Sequence, residues 1–297
     1  MVKLRLTAAL LAVAVLALLG GATAAAKERP LFPVTLKAAN GTVTIAKRPV
    51  RIVSLSPTAT ENLFAVGAGR QVVAVDELSN YPKRAPRTKL SGFTPNAEAI
   101  AGYRPDLVVV HSDAAVAQME RLGITVLQLP AASSLVHAYA QLRQLGRATG
   151  HPRSADSVVH WMRARIAAER RSVQSRASRL TVYHELTTDY YSATSRTFIG
   201  QVYRLLGLRN VADAAGDSLP YPKLSGEYII AADPDVIVLA DSKCCGQSHA
   251  TVAARPGWST ITAVRERRVV AMDDDIASRW GPRVVAFVRG VAAAIRK

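Results

Sequence analysis

Cysteine is nearly absent from this chain: its 297 residues include only two, Cys244 and Cys245, and these are adjacent. Adjacent cysteines do not match the CxxC pattern of zinc sites and thioredoxin-like redox centres. In an oxidising compartment they form either a vicinal disulfide, which we favour, or two free thiols. The six histidines are scattered along the sequence. The sequence therefore predicts no metal site.

Aromatic residues and carboxylates are also scarce. Aromatic residues make up 6% of the chain, and 22 acidic residues stand against 38 Lys and Arg, for a formal net charge of +16. Such a balance can attract nucleic acid, anionic lipid or an anionic ligand. The positive charge is dispersed, apart from the segment RARIAAERRSVQSR, and aromatic side chains do not alternate with it. We therefore expect no nucleic-acid partner and interpret the charge as a solvated surface.

Sequence signatures of catalysis are missing as well. The chain contains no GxSxG elbow, no phosphate-binding P-loop and no HExxH motif. A hydrolase hypothesis built on Asp273–Asp275 finds neither a nucleophile nor a base, and adjacent carboxylates are typical of a solvated turn or a helix cap. We expect a protein that is not an enzyme and that needs no cofactor.

A long apolar run stands near the start of the chain. Lys3 and Arg5 precede LTAALLAVAVLALLGG, and ATAAAKE then supplies small residues suited to signal peptidase. Residues 1–26 are thus predicted to be a Sec-type signal peptide, with an uncleaved anchor as the alternative. No Cys follows the run, so we expect no lipoprotein anchor. The protein is expected to be exported to the periplasm or another extracytoplasmic space.

After this segment, short strands and helices alternate. VTLKAANGTVTIA predicts a β-hairpin within residues 27–50, with a type I′ turn at Asn40-Gly41. RIVSLSP is typical of a buried strand, and Thr58 with Glu61 three residues later matches a capping box at the start of a helix. Further strands alternate with helices, which indicates a parallel sheet covered on both faces.

The second half of the chain repeats the first. EAIAGYRPDLVVV begins at Glu98 and EYIIAADPDVIVL at Glu227, while YPK and KLSG each occur twice in the same order. Between the halves, residues 152–178 are predicted to form a long, basic, amphipathic helix. The sequence thus predicts an α/β protein of two matching lobes, residues 51–151 and 179–297, joined by this helix.

The loops that follow the strands carry the candidate binding residues. In open α/β sheets, ligands lie beyond the carboxyl ends of the strands, so two facing lobes enclose a cleft. These loops are rich in aromatic and polar side chains, which suits a bulky, partly polar small molecule. For a histidine here the competing interpretation is a side chain satisfied within the fold, and for the two Tyr-Pro pairs it is a turn. The candidate ligand-binding residues are Tyr81, Phe93, His111, His184, Tyr221, Asp241, Arg279 and Trp280.

Two glutamates, Glu98 and Glu227, each begin a predicted helix, one in each lobe. A carboxylate at such a position is stabilised by unpaired backbone N–H groups and by the helix dipole, which is a sufficient structural reason for it. The alternative is that the matched carboxylates bind a two-fold-symmetric partner with two matched positive pockets.

These motifs carry a resemblance to a known family. From about residue 49 to the C-terminus, the chain resembles the substrate-binding proteins of ABC importers for vitamin B12, ferric siderophores and haem. The segments that carry the resemblance are RIVSLSPTATENLFAVGAGRQVVAV, SNYPKRA, NAEAIAGYRPDLVVV and LPYPKLSGEYII. The resemblance implies two Rossmann-like lobes bridged by one long α-helix. It also implies that Glu98 and Glu227 dock onto the two halves of a permease dimer, and that the ring of Tyr221 packs against the ligand.

Within that family, SNYPKRA and PYPK are most similar to the corrinoid binders. The leading hypothesis is therefore a monomeric protein that delivers a corrinoid to an ABC importer. The runner-up cargo is a ferric siderophore, which Arg279 and Arg283 would suit, or haem, with Tyr221, His111 or His184 as the iron ligand. An exported sensor or scaffold without transport is the hypothesis from a different class. ADSKCCGQS has no counterpart in the best-known B12 binder, so the resemblance does not select the ligand.

Overall fold

The computed structural model describes residues 30–215 and 219–297, so the predicted signal peptide, residues 1–26, lies outside the described part. The chain divides into two units, Met1–Leu31 and Phe32–Lys297, and the second contains all of the elements given below. Within the described residues, no helix combines the length and the apolar character needed to cross a membrane.

A two-stranded antiparallel hairpin comes first. It consists of β1 (Val34–Ala38) and β2 (Gly41–Ile45). Gly41 has a φ of 105°, whereas the φ of Asn40 is not positive. The predicted type I′ turn is therefore wrong, because that turn needs a positive φ at both central residues. The Asn40 side chain instead reaches the neighbouring lobe, where its Oδ1 accepts a hydrogen bond from the backbone N–H of Gln128 at 3.1 Å.

The first lobe contains a four-stranded parallel sheet in the order β4-β3-β5-β6. Its strands are β3 (Ile52–Leu55), β4 (Val72–Val75), β5 (Leu107–Val110) and β6 (Val126–Gln128). Every residue of β3 and β5 is buried. These strands are nearly continuous apolar runs in the sequence because helices cover both faces of a parallel sheet.

The second lobe contains a parallel sheet in the order β8-β7-β9-β10. Its strands are β7 (Thr181–Glu185), β8 (Arg209–Asn210), β9 (Val236–Leu239) and β10 (Val269–Ala271). Strands β7 to β10 occupy the places that β3 to β6 occupy in the first sheet. The predicted repeat, and with it the α/β fold of two parallel-sheet lobes, is confirmed.

Helices surround both sheets. In the first lobe they are α1 (Pro57–Ala65), α2 (Ala97–Ala101), α3 (Val116–Arg121) and α4 (Leu135–Thr149). Between the lobes lies α5 (Pro152–Ala177). In the second lobe they are α6 (Phe198–Leu206), α7 (Gly226–Ala232), α8 (Ser242–Cys245), α9 (His249–Ala253), α10 (Thr262–Arg265), α11 (Asp274–Ser278) and α12 (Val284–Arg296).

Helix α5 connects the lobes over 26 residues. Pro152 lies in its first turn, where a missing backbone N–H leaves no helical hydrogen bond unmade. Val159, Met162 and Ile166 recur at helical spacing on its buried face. They belong to one hydrophobic cluster that also contains side chains from both sheets. Helices α4 and α12 pack against α5, so the connection between the lobes is a supported helix and not a free linker.

Helix α1 begins two residues earlier than predicted. Its N-cap is Ser56, whose side chain accepts a hydrogen bond from the backbone N–H of Ala59 at 3.3 Å, and Pro57 is the first helical residue. The predicted capping box of Thr58 and Glu61 is therefore wrong, because the fixed φ of proline suits the first helical position. Glu61 lies inside the helix and is only 3% exposed.

Candidate functional site

Residues that follow the strands of both lobes line one small cavity of about 230 Å³, here named the Tyr221 pocket. The first lobe supplies residues 131–133, which follow β6. The second lobe supplies Tyr221, which follows β8, and Trp280, which follows β10. The pocket thus lies between the lobes at the carboxyl ends of parallel strands, which is where ligands bind in open α/β sheets.

Three aromatic residues, Phe198, Tyr221 and Trp280, line the Tyr221 pocket. The side chain of Tyr221 is 47% exposed, and partial burial raises the pKa of its phenol, which therefore stays neutral at physiological pH. The indole Nε1 of Trp280 donates a hydrogen bond to Oε1 of Gln141 at 2.9 Å, across the lobes. This bond orients the Trp280 ring, so the pocket presents a fixed apolar face and a phenol group.

Tyr81 lies in a different cavity of about 420 Å³, here named the Tyr81 pocket. Tyr81 follows β4 and faces the segment after β10, whereas Tyr221 follows β8 and faces the segment after β6. The two tyrosines are therefore related by the internal repeat, at separate pockets. The guanidinium carbon of Arg283 stands 4.4 Å from the centre of the Tyr81 ring, and Trp161 of α5 lines the same pocket.

Arg279, which the sequence suggested as a ligand-binding residue, is 8% exposed and fully engaged between the lobes. Its Nη1 donates to Oε1 of Glu61 at 2.9 Å and to Oδ1 of Asn80 at 3.0 Å. Its Nη2 donates to Oδ1 of Asp275 at 2.6 Å and to the carbonyl of Leu78 at 3.0 Å. We use the name inter-lobe network for a set of six residues: Glu61, Leu78, Asn80, Asp275, Arg279 and Arg283. Because both terminal nitrogens are committed, the interpretation of Arg279 as an anion ligand is corrected to a structural one.

Residues of the inter-lobe network make two further ion pairs. Arg283 donates through Nε and Nη2 to the two carboxylate oxygens of Glu61, at 2.9 and 2.6 Å. Asp275 accepts from Lys243 Nζ at 2.6 Å and from Asn80 Nδ2 at 2.8 Å. Burial by itself would raise the pKa of Asp275, but these hydrogen bonds outweigh it and hold the pKa below its ordinary value. The network thus links α1 of the first lobe to α11 of the second through ion pairs and hydrogen bonds.

His184 does not reach the cleft. It is fully buried in β7, its Nδ1 lies 2.5 Å from the hydroxyl of Tyr203, and its ring packs at the edge of Phe287 of α12. Burial lowers the pKa of His184 to about 3, so the ring is neutral. The proposed ligand role of His184 is corrected: its side chain points to the helix-covered face of the sheet.

Asp241, the N-cap residue of α8, is also fully buried. Burial, and the neighbouring carboxylate of Glu185, raise the pKa of Asp241 to about 7. Glu185 binds the two terminal nitrogens of Arg255 at 2.7 and 2.6 Å, and the guanidinium carbon of Arg255 lies 4.5 Å from the Trp258 ring centre. Asp241 thus belongs to a buried polar cluster rather than to the exposed cleft wall. The sequence signal for this cluster was Glu185, a carboxylate at the end of the buried strand β7.

Phe93 and His111 make contact at the rim of the first lobe. Their ring centres are 5.7 Å apart in an edge-to-face arrangement. His111 follows β5, and its Nδ1 lies 3.2 Å from the carbonyl of Leu55 at the end of β3. Phe93 is 67% exposed, so it offers a free aromatic face at the carboxyl edge of the sheet.

Cys244 and Cys245 are bonded to each other in α8, directly after β9. Both residues are exposed. The backbone N–H groups of Lys243 and Cys244 donate to the carboxylate of Asp274, at 2.9 and 2.8 Å. The cysteine loop is thereby tied to the segment that carries the inter-lobe network.

Glu98 and Glu227 occupy equivalent exposed positions. Each is the second residue of its helix, α2 or α7, and the N-caps are Asn96 and Ser225. Hydrogen bonds from its own backbone N–H and from Ser225 lower the pKa of Glu227. Each lobe therefore presents one carboxylate at the same point of the repeat.

No group of three or more His, Cys, Asp or Glu suited to hold a metal ion exists within residues 30–215 and 219–297. The side chains that line the Tyr221 pocket are mainly aromatic, aliphatic and hydroxyl groups, with one guanidinium, Arg196. Such a lining recognises an organic ligand by shape and hydrogen bonding.

Comparisons with known proteins give the family. Residues 52–276 match the family model described as periplasmic binding protein. A Bacillus subtilis protein named as an uncharacterized ABC transporter substrate-binding lipoprotein, YvrC, is 32% identical over 283 residues, which cover 91% of this chain and 88% of the relative. The cobalamin-binding protein of Halobacterium salinarum is 34% identical over 265 residues, which cover 86% of this chain and 72% of the relative. The Bacillus name describes a lipoprotein, contrary to our expectation of a protein without a lipid anchor.

Solved structures agree on the fold. The periplasmic heme-binding protein RhuT from Roseiflexus sp. RS-1 matches with a TM-score of 0.70 and 28% identity, over 82% of this chain and 97% of that one. The periplasmic vitamin B12 binding protein BtuF of Vibrio cholerae matches with a TM-score of 0.68 and 24% identity, over 84% of this chain and 97% of that one. The chain belongs to the periplasmic binding protein family, as an extracytoplasmic substrate-binding component of an ABC importer and not an enzyme.

Proposed function

We propose that the protein captures a corrinoid between its lobes and delivers it to the permease of an ABC importer. The observation that supports this most is the Tyr221 pocket, which three aromatic residues of the second lobe line together with residues 131–133 of the first. A corrin ring is large, planar and fringed with amides, so aromatic faces and neutral hydrogen-bonding groups suit it. A relative with 34% identity is named a cobalamin-binding protein, which favours the same ligand class.

Ligand entry in this proposal requires the lobes to separate. The Tyr221 pocket holds about 230 Å³, below the roughly 300–1,000 Å³ of pockets that enclose drug-sized ligands. Helix α5 is packed against α4 and α12, which resists bending, so we propose a small hinge motion at its ends. The protein acts in this proposal as a monomer that is exported by a cleaved signal peptide.

Docking to the permease is assigned to Glu98 and Glu227. Both carboxylates are exposed, and they stand at equivalent points of two lobes. A permease built of two equivalent halves would need one such carboxylate for each half, which gives the repeated Glu helix a function beyond helix capping.

Haem is the second candidate, because a structural neighbour with 28% identity is named a heme-binding protein. The iron of a bound haem needs an axial ligand such as Tyr or His. His184 is buried against Tyr203 and is unsuited to this, which leaves Tyr221 and His111. For a ferric siderophore, Arg279 and Arg283 are already paired with Glu61, so anionic chelates gain little from them.

Calorimetric titration of the purified protein with cyanocobalamin, cobinamide, haem and ferric siderophores tests the ligand. We expect one-to-one binding of a corrinoid that Tyr221→Ala weakens by about two- to tenfold, since a stacked aromatic ring contributes about 0.5–1.5 kcal/mol. Trp161→Ala is the matched control, because Trp161 is a similarly exposed aromatic, at 43%, outside the Tyr221 pocket. If only haem or a siderophore gives binding heat, the corrinoid hypothesis is replaced by that ligand. An equal loss of affinity in both variants would contradict the assignment of the Tyr221 pocket as the binding site.

Uptake measurements test the docking assignment. The double substitution Glu98→Arg and Glu227→Arg should abolish uptake and permease binding while ligand binding persists. The control pair, Glu120→Arg and Glu266→Arg, changes the same number of exposed charges, one in each lobe. Unchanged uptake in the first pair would contradict the docking role and favour the sensor or scaffold hypothesis.

A further inference from the structure

A third cavity, of about 700 Å³, lies beside the first lobe and away from the Tyr221 pocket. Arg48 lies before β3 and Arg70 before β4, so these residues stand at the amino ends of the strands, opposite the ligand edge of the sheet. Arg84 and Phe64 complete the wall, and His151 closes the cavity at the start of α5. We name this cavity the arginine groove.

The charge of the arginine groove is one-sided. Three arginines line it, and its described lining contains no carboxylate. It adjoins the Tyr81 pocket, with which it shares Phe64 and Arg84. The carboxylate in that pocket is Glu61, which is buried and already bound by Arg279 and Arg283. Positive charge in the groove is therefore not cancelled locally, and a concave surface of one sign attracts counter-ions strongly.

One guanidinium of the groove is held in a defined orientation. Arg48 donates through Nε to the carbonyl of Thr149 at 3.2 Å, and its Nη2 lies 2.9 Å from Nε2 of His151. Burial and the charge of Arg48 lower the pKa of His151, so the ring is neutral and accepts from Arg48. The other ring nitrogen of His151, Nδ1, lies 3.1 Å from the Thr149 hydroxyl. The remaining nitrogen of Arg48 is thus oriented with little loss of side-chain entropy on binding.

A second guanidinium lies over an aromatic ring in the wall of the groove. The guanidinium carbon of Arg84 lies 5.2 Å from the centre of the Phe64 ring. A guanidinium held over an aromatic face by cation–π attraction can still donate its N–H groups to oxygen atoms. Arg70, in the short 3-10 turn Gly69–Gln71, is exposed and lines the same groove.

We infer that the arginine groove is a binding site for a phosphate-bearing anion, separate from the cleft that holds the transported ligand. Planar guanidinium groups match the oxygen geometry of phosphate and bind it through paired hydrogen bonds. The phosphate source is either a free phosphorylated molecule or the headgroup of an anionic lipid, and both present the same chemistry. The inference does not depend on which ligand the cleft binds.

Calorimetric titration of the protein with pyrophosphate at low ionic strength tests the inference. We expect one-to-one binding that the double variant Arg70→Glu and Arg84→Glu weakens by at least about tenfold, since each guanidinium–phosphate contact is charge-assisted. The control variant, Arg163→Glu and Arg171→Glu, alters two exposed arginines of α5 and changes the net charge equally. Equal weakening in both variants would show a general charge effect and overturn the site.

The same variants distinguish the two phosphate sources. Co-sedimentation with phosphatidylglycerol vesicles, with no binding of pyrophosphate, would assign the groove to a lipid headgroup if Arg70→Glu and Arg84→Glu abolished it. Absence of binding to both pyrophosphate and vesicles would overturn the inference. Circular dichroism checks that the double variant is folded, and the single substitution Arg70→Ala, expected to weaken binding several-fold, replaces it if it is not.

Discussion

Replacing Arg279 by methionine removes the centre of the inter-lobe network while it keeps most of the side-chain volume. Arg279 donates four hydrogen bonds, two of them to carboxylates. After the substitution, Glu61 stays buried at 3% exposure and loses one of its two guanidinium partners. The substitution therefore takes one donor away from each of the Glu61 and Asp275 carboxylates and from the oxygens of Asn80 and Leu78.

The expected destabilisation follows from this burial. Removing one partner of a buried ion pair costs about 3–5 kcal/mol of unfolding free energy. We expect the lower end, about 3 kcal/mol, because Glu61 keeps two hydrogen bonds from Arg283, at 2.9 and 2.6 Å. In a chain of this size, each kcal/mol lowers the unfolding temperature by about 2–4 °C, so we expect a fall of roughly 6–12 °C.

Urea unfolding followed by circular dichroism, with scanning calorimetry alongside, measures this cost. The matched control is Arg143→Met. The Arg143–Asp156 ion pair is as short, at 2.7 Å, but its side chains are 45% and 64% exposed, and such pairs contribute about 0–1 kcal/mol. If Arg279→Met costs no more than Arg143→Met, the reasoning that burial makes the inter-lobe network stabilising is refuted.

Three further predictions concern buried groups. The pKa of Asp241 is raised to about 7, so the stability due to its protonated form is complete below about pH 4 and is lost as the pH rises through 7. Asp241→Asn should therefore increase the unfolding free energy at pH 8, by at most about 4 kcal/mol, and change it little at pH 4. Parallel curves of stability against pH for the two proteins would contradict this. The pKa of His184 is lowered to about 3, so its stabilisation is complete above about pH 6.5 and is lost toward pH 3; its ring NMR signals should not titrate between pH 8 and 4.5, and a midpoint near 6.5 would be the opposing result. A Cβ at Gly200 would clash with the backbone oxygen of Thr194, so Gly200→Ala should cost about 1–3 kcal/mol in urea unfolding. An unchanged midpoint would contradict this clash.

Some site predictions depended on local pattern and others on distant partners. Tyr221 and Trp280 could be predicted because each follows a strand, and the carboxyl ends of parallel strands meet at one edge. Arg279 follows a strand in the same way, yet its partner Glu61 is 218 residues earlier in the chain. No local periodicity contains such a pairing. The prediction therefore placed Arg279 in the cleft, and the fold places it in the inter-lobe network.

The sequence by itself determined the two lobes, their parallel sheets and the connecting helix. Apolar runs, helix-ending glycines and an internal repeat are local or repeated features, and they survive in any correct arrangement of the elements. Only the tertiary structure decided which charged side chains are buried and where the tyrosines stand. Tyr81 and Tyr221 are equivalent in the repeat but line separate pockets, and His184 faces α12 instead of the cleft. A side chain of a doubly covered sheet can face either helical layer or the cleft, and packing of the whole chain selects among them.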